Sequence, residues 1–144
     1  MPNAVIRTER AERRQVAALP WRHGPDGVEI LLVTSRETRR WVTPKGGRMP
    51  GKTDAEAAAI EAMEEAGVQG EVRDEPLGTF RYLKVLKRRA PRWCVVAVYP
   101  LEVIIQHGAW KEQAERERVW MSVEQAAACV GEPDLAAIIR SFRP

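Results

Sequence analysis

Apolar positions run almost unbroken over residues 15–21 and again over 28–35, with the length and β-branched content of buried strands. Between them His23-Gly24-Pro25-Asp26-Gly27 has turn chemistry. Trp41-Val42-Thr43-Pro44 is a short extended approach to a glycine-rich loop, with Pro44 ending regular pairing. The period then changes. Residues 55–66 read as a helix with Asp54 as N-cap and Gly67 as terminator, and Ala59, Met63 and Ala66 form the face expected against the core. Residues 71–73, 77–86 and 93–105 return to strand, the last two joined by the basic turn Lys87-Arg88-Arg89-Ala90-Pro91-Arg92. A short strand over 117–121 leads to a helix capped by Ser122, with Glu124 and Gln125 in its first turn. A last helix over 133–142 places Leu135, Ile138, Ile139 and Phe142 on one face. Strands interleaved with helices predict α/β layers around a mixed sheet.

Composition narrows this further. A chain of 144 residues, 44% hydrophobic, is expected to form one domain with a proper core, preceded over residues 1–14 by a charged, frayed lead-in. Charged residues make up 30% at a net charge of +3, a balance that suits a soluble domain and is too mild to call for nucleic acid. Arg7, Glu9, Arg10, Glu12, Arg13 and Arg14 interrupt any secretory-type apolar run, and no stretch approaches a membrane span. The expected setting is cytoplasmic, without a membrane partner, and the oligomeric state is open. Cys94 and Cys129 lie in apolar contexts without paired spacing and are expected to be reduced core residues.

Candidate chemistry concentrates at one place. Gly46-Gly47-Arg48-Met49-Pro50-Gly51 feeds a helix carrying Glu61, Glu64 and Glu65. At i, i+3 and i+4 these carboxylates fall within an arc of about 100° and can converge on one divalent cation cluster. Glutamates on an alanine-rich helix are ordinarily a solvated face. Pro44-Lys45-Gly46-Gly47, the Gly51 turn and the terminal Gly67-Val68 argue otherwise, because they set a loop beside the carboxylates, which solvation does not require.

These residues resemble the metal-binding box of the Nudix hydrolases, which cut nucleoside diphosphates linked to another group and related diphosphates. Gly46, Glu61, Ala62, Glu64, Glu65, Gly67 and Val68 fall on the family pattern with its spacing kept. Lys52 stands where the family has glutamate and Ile60 where it has arginine; counted from Gly47, the loop is one residue short. In the family that pair supports the loop–helix geometry, so the resemblance implies an altered support with the metal-facing glutamates intact. Lys52 is expected to pair with Glu56 across one turn. The likeness covers residues 15–140. Trp41 to Gly47, Leu77-Gly78-Thr79-Phe80, and Glu117-Arg118-Val119-Trp120-Met121 with the helix after it, are similar to the diphosphoinositol polyphosphate phosphohydrolase branch.

The resemblance implies a Nudix-type α/β/α sandwich with a central mixed sheet, Mg2+ or Mn2+ as cofactor, and hydrolysis of phosphoanhydride bonds by water. The implied partner is a small phosphorylated molecule, a diadenosine polyphosphate or a diphosphoinositol polyphosphate. The alternatives are a nucleoside triphosphate or nucleotide-sugar pyrophosphatase and, from another class, a catalytically weak nucleotide-binding module, which Lys52 and Ile60 favour. RNA 5′-end processing would want a longer basic surface. Under the resemblance Glu61 and Glu65 are metal ligands, Glu64 is the proton acceptor or a further ligand, Glu61 shares the catalytic role, and the Gly46 carbonyl is an additional ligand. Glu112, Glu115 and Glu117 are unranked candidates for a later acidic ligand. For substrate, Lys45 borders the metal loop, and Lys84, Lys87, Arg88, Arg89 and Arg92 occupy a hairpin whose basic residues contact phosphates in that branch; a solvated hairpin tip is the ordinary alternative. Arg7, Arg36 and Arg39 are weaker candidates. Trp41, Trp93 and Trp120 are expected in the core, Trp110 is left open, and His23 and His107 are expected as exposed turn residues without a catalytic role.

Overall fold

Alternation along the central strands sorts the apolar side chains onto the two faces of one sheet. The computed structural model describes residues 12–144; Arg7, Glu9 and Arg10 lie outside them, whereas Arg13 and Arg14, expected in the lead-in, open the first strand and pair with Cys94 and Val95. The strands are β1 (Arg13–Gly24), β2 (Gly27–Thr34), β3 (Trp41–Val42), β4 (Lys45–Gly47), β5 (Val68–Val72), β6 (Gly78–Lys84), β7 (Arg92–Gln106) and β8 (Arg118–Ser122). The helices are α1 (Asp54–Ala66), α2 (Val123–Cys129) and α3 (Pro133–Ser141). The sheet runs β3-β2-β1-β7-β5, with β4 also on β1, β6 on β7 and β8 on β2. Its β1–β7 pairing is parallel, from Arg13↔Cys94 to Trp21↔Glu102, and the other pairings are antiparallel, so the sheet is mixed as expected.

Val16, Ala18, Leu31 and Val33 face α1, whereas Leu19, Ile30, Leu32 and Val98 face α2 and α3. Both faces of β1 and β2 are therefore covered, which explains why their sequences read as continuous apolar runs rather than as an alternation. The result is the α/β/α sandwich that the pattern and the resemblance called for.

Several local expectations are revised. The cap of α1 is Thr53, not Asp54: Thr53 Oγ1 accepts from the Glu56 amide at 3.1 Å and Glu56 Oε1 accepts from the Thr53 amide at 2.8 Å. Such a capping box contributes about 1 kcal/mol. Glu56 is thereby committed, and among the described residues Lys52 forms no ion pair with it. The buried face of α1 is the Ala55, Ala58, Ala62, Ala66 stripe with Glu65 beside it, while Ala59 and Met63 are only half-buried. β4 forms within the glycine loop itself, Val16 pairing with Gly46. Trp93 is 46% exposed, as is fitting on a strand close to the hairpin tip, and Cys129 at the end of α2 is exposed rather than core. Trp41 and Trp120 are half-buried.

Candidate active site

The glycine loop meets helix α1 edge-on. β4 is fixed by its pairing with β1, and the Lys45 amide donates to Glu65 Oε1 at 3.2 Å. Glu61 lies against Gly46 so closely that a Cβ added there would stand 2.7 Å from Oε1 and nearer still to Oε2. The start of the helix is tied to the loop by Arg48, whose Nε is 2.9 Å from Asp54 Oδ1.

The far end of α1 is gripped by residues 107–118. Gly67 closes the helix in the left-handed conformation at φ 67°. Carbonyls that the last turn leaves open are then met from outside. Trp110 Nε1 donates to the Glu65 carbonyl at 3.0 Å, Arg118 Nη1 to that of Ala66 at 2.8 Å, and the Glu112 amide to that of Glu64 at 3.1 Å. Arg118 also stacks on Trp110, 3.8 Å from the ring centre. Trp110, left open by its sequence context, is thus a clamp on the helix.

That grip delivers charged side chains to the glutamates. Lys111 Nζ lies 2.8 Å from Glu64 Oε1. Arg116 donates through Nε to Glu112 Oε1 at 2.8 Å and through Nη1 to the Thr34 carbonyl at 3.0 Å, and its Nη2 stands 3.5 Å from Glu65 Oε2. Of the three later acidic candidates, Glu112 joins the site; Glu115 pairs with Arg36 and Glu117 with Arg39, each at 3.6 Å. Arg116 and Arg118 had a readable signal, the alternating run Glu115-Arg116-Glu117-Arg118, which at strand period turns both arginines the same way.

The electrostatics are those of an anion cluster short of positive charge. Burial, reinforced by Glu64 and Glu112, pushes the Glu61 carboxyl up to about 7. Burial likewise raises Glu65 to about 7, against the pull of Arg116 and of the Lys45 amide. Among the described residues Glu61 makes no ion pair. The Lys45 ammonium is lowered by burial, opposed by Glu65 and Glu132, and lies 5.0 Å from the centre of the Tyr82 ring.

Lys45, Gly46, Glu61, Glu65, Glu112 and Arg116 line one cleft of about 1070 Å³. Basic residues also line it: Arg13, Arg36 and Arg40, and Lys84 and Lys87 of the β6–β7 hairpin. Arg88, Arg89 and Arg92 of that hairpin are not among the cleft-lining residues, and Arg88 sits at the turn with φ 61°. Glu64 is not among the cleft-lining residues and pairs with Lys111. As the side chains stand, no three carboxylate, imidazole or thiol groups among the described residues close into a cation cage.

A family model described as NUDIX domain matches residues 12–142. The chain is 36% identical over 104 residues to Nudix hydrolase 13, mitochondrial, of Arabidopsis thaliana, covering 69% of this chain and 52% of that protein. It is 33% identical over 116 residues to diphosphoinositol polyphosphate phosphohydrolase 3-beta of Homo sapiens, covering 79% and 66% respectively. The chain spans about half the length of the Arabidopsis relatives at 36% and 35% identity. Its fold is similar to that of the C. elegans Ap4A hydrolase, with a TM-score of 0.60 at 18% identity over 89% of this chain and 93% of that one. It is also similar to a MutT protein from Methanosarcina mazei Go1, with a TM-score of 0.66 at 20% identity over 90% and 91%.

Proposed function

The chain belongs to the Nudix family, and from that membership we propose that it is a pyrophosphohydrolase, cutting a phosphoanhydride bond in a small phosphorylated molecule by attack of water. The observation that carries this reading is the meeting of Glu61, Glu65 and Glu112 with the half-buried Lys45 along one cleft. Breaking a phosphoanhydride requires that phosphate oxygens be neutralised, that a water be held in line and that its proton be taken up.

The donor set fits a hard divalent cation: carboxylate oxygens dominate it, Glu61 makes no ion pair among the described residues, and the absent side chain of Gly46 makes the cradle in which the Glu61 carboxylate rests. Glu61 and Glu65, with Glu112 and the Gly46 carbonyl beside them, would hold the ion. When bound, magnesium or manganese supplies charge for the phosphate oxygens and lowers the pKa of a coordinated water. Lys45 orients a phosphate against this face, and its low exposure strengthens the attraction. Glu64, one turn beyond Glu61 on the same helix and paired with Lys111, is the proton acceptor in this reading.

Substrates rich in phosphate, diphosphoinositol polyphosphates or diadenosine polyphosphates, suit the basic lining of Arg13, Arg36, Arg40, Lys84 and Lys87. The names of the human relative and of the nematode structure support the same class. The test is product release with Mg2+ and then Mn2+ over diadenosine penta- and hexaphosphate, a diphosphoinositol polyphosphate, a nucleotide sugar and nucleoside triphosphates. Turnover of the first three alone is expected. Preference for the nucleotide sugar or triphosphates would overturn the substrate class, and no turnover with metal bound would overturn the enzyme.

A further inference from the structure

Helix α1 carries Asp54, Glu56, Glu61, Glu64 and Glu65 and no basic residue, so positive charge for its carboxylates has to arrive from other elements. Arg48 meets Asp54, Lys111 meets Glu64 and Arg116 meets Glu65. The first two cations are 58% and 70% exposed, where an ion pair contributes little. Arg116 is different: its side chain is 8% exposed and that of Glu65 9%.

A guanidinium that deep is tolerated only when its donors are used. Those of Arg116 reach three elements: Glu65 on α1, Glu112 in the segment before β8, and the Thr34 carbonyl at the end of β2. The planar fork serves all three from one rigid group, which a lysine ammonium on a flexible stem does not reproduce. The carbonyl contact ties the fork to the sheet, and the two carboxylates inherit that fixed reference.

We propose that Arg116 is the positioning residue of this site, holding Glu65 and Glu112 in a single arrangement along the cleft by anchoring both to the backbone of β2. The inference rests on the pyrophosphohydrolase reading, because it assigns Arg116 the task of presenting two of the metal-facing carboxylates.

The test titrates Mn2+ alone into the parent protein, Arg116→Lys and Arg116→Met, following the signal of the free ion by electron paramagnetic resonance. Thermal unfolding of the metal-free proteins is measured beside it, with kcat and KM for a substrate turned over by the parent. Arg116→Met is expected to weaken Mn2+ binding by about 10- to 100-fold and to lower kcat more than it changes KM. Arg116→Lys should recover only part of the affinity. If Arg116→Met does not fold, Arg116→Lys decides: weakened Mn2+ binding at parental Tm supports the assignment. Parental or tighter Mn2+ binding, with nothing lost but Tm, overturns it. A parent that itself binds no Mn2+ defeats the pyrophosphohydrolase reading and this inference together; a parent that binds it, with both variants unaffected, defeats the role of Arg116 alone.

Discussion

The Glu61 carboxylate occupies the space that a side chain on Gly46 would take, with an added Cβ standing 2.7 Å from Glu61 Oε1. Gly46 is not among the residues of positive φ, so the position requires glycine for room and not for backbone freedom. The obstacle is the flexible end of a side chain, which can swing aside without disturbing the sheet.

Gly46→Ala should therefore separate activity from stability. The displaced Glu61 carboxylate is expected to cost at least about 10-fold in kcat. Tm should move by less than about 3 °C, because no buried apolar contact is lost. Steady-state kinetics beside a thermal melt checks this, and parental kcat would remove Glu61 from the site.

The metal-free protein should lose stability as the medium becomes more alkaline. Glu61 and Glu65 titrate at about 7 in the folded state against an ordinary value of 4.5. Between those values the folded state keeps protons that the unfolded state has released, so stability falls as pH rises through that window. Water around half-buried Glu61 limits the effect to about 2 kcal/mol, or about 4–8 °C in Tm for a chain of this size. Calorimetric scans at several pH values are the check. Glu61→Gln should flatten the slope and raise the metal-free Tm at the alkaline end while lowering kcat by about 100-fold or more. A Tm that climbs with pH would contradict the burial of these charges.

Neutralising the cleft should matter more than neutralising the hairpin tip. Lys45→Met removes a half-buried ammonium lining the cleft and is expected to raise KM by about 10-fold or more. Arg88→Ala with Arg89→Ala removes charges outside the cleft lining, and salt screening should keep the change within about 3-fold. Equal effects from the two changes would return the tip to the substrate surface.

Gly67→Ala should damage both the helix and the site. A side chain would be held at φ 67°, and its Cβ would meet the Trp110 ring at 2.8 Å. The left-handed strain costs about 1–2 kcal/mol. Displacing Trp110 loosens the segment that carries Glu112 and Arg116, so kcat should fall as well as Tm. An intact kcat would show that the clamp and the site are independent.

The local features of the site were legible in the chain because they depend on neighbours in sequence. The spacing of Glu61, Glu64 and Glu65, the glycine loop, the Gly67 terminator and the apolar runs of β1 and β2 are all matters of helical period, turn chemistry or strand burial. Even the cap was available: Thr53 and Glu56 have the spacing of a capping box, which Asp54 lacks. The rotation of α1 was not readable. Alanines lie on nearly every side of it, so its sequence offers little amphipathic contrast from which to tell the Ala55–Ala58–Ala62–Ala66 stripe from the Ala59–Met63 line.

What the sequence determined by itself was the carboxylate helix and the loop beside it; what the tertiary structure decided was which charges answer them. β8 lies beside β2, with Val33 opposite Arg118 and the Thr34 amide donating to the Glu117 carbonyl. That strand order, which no local period encodes, carries Glu112 and Arg116 to the glutamates and leaves Glu115 and Glu117 facing outward. An ion pair depends on distance in space, and distance in space between segments remote along the chain is set by how strands choose partners in the sheet.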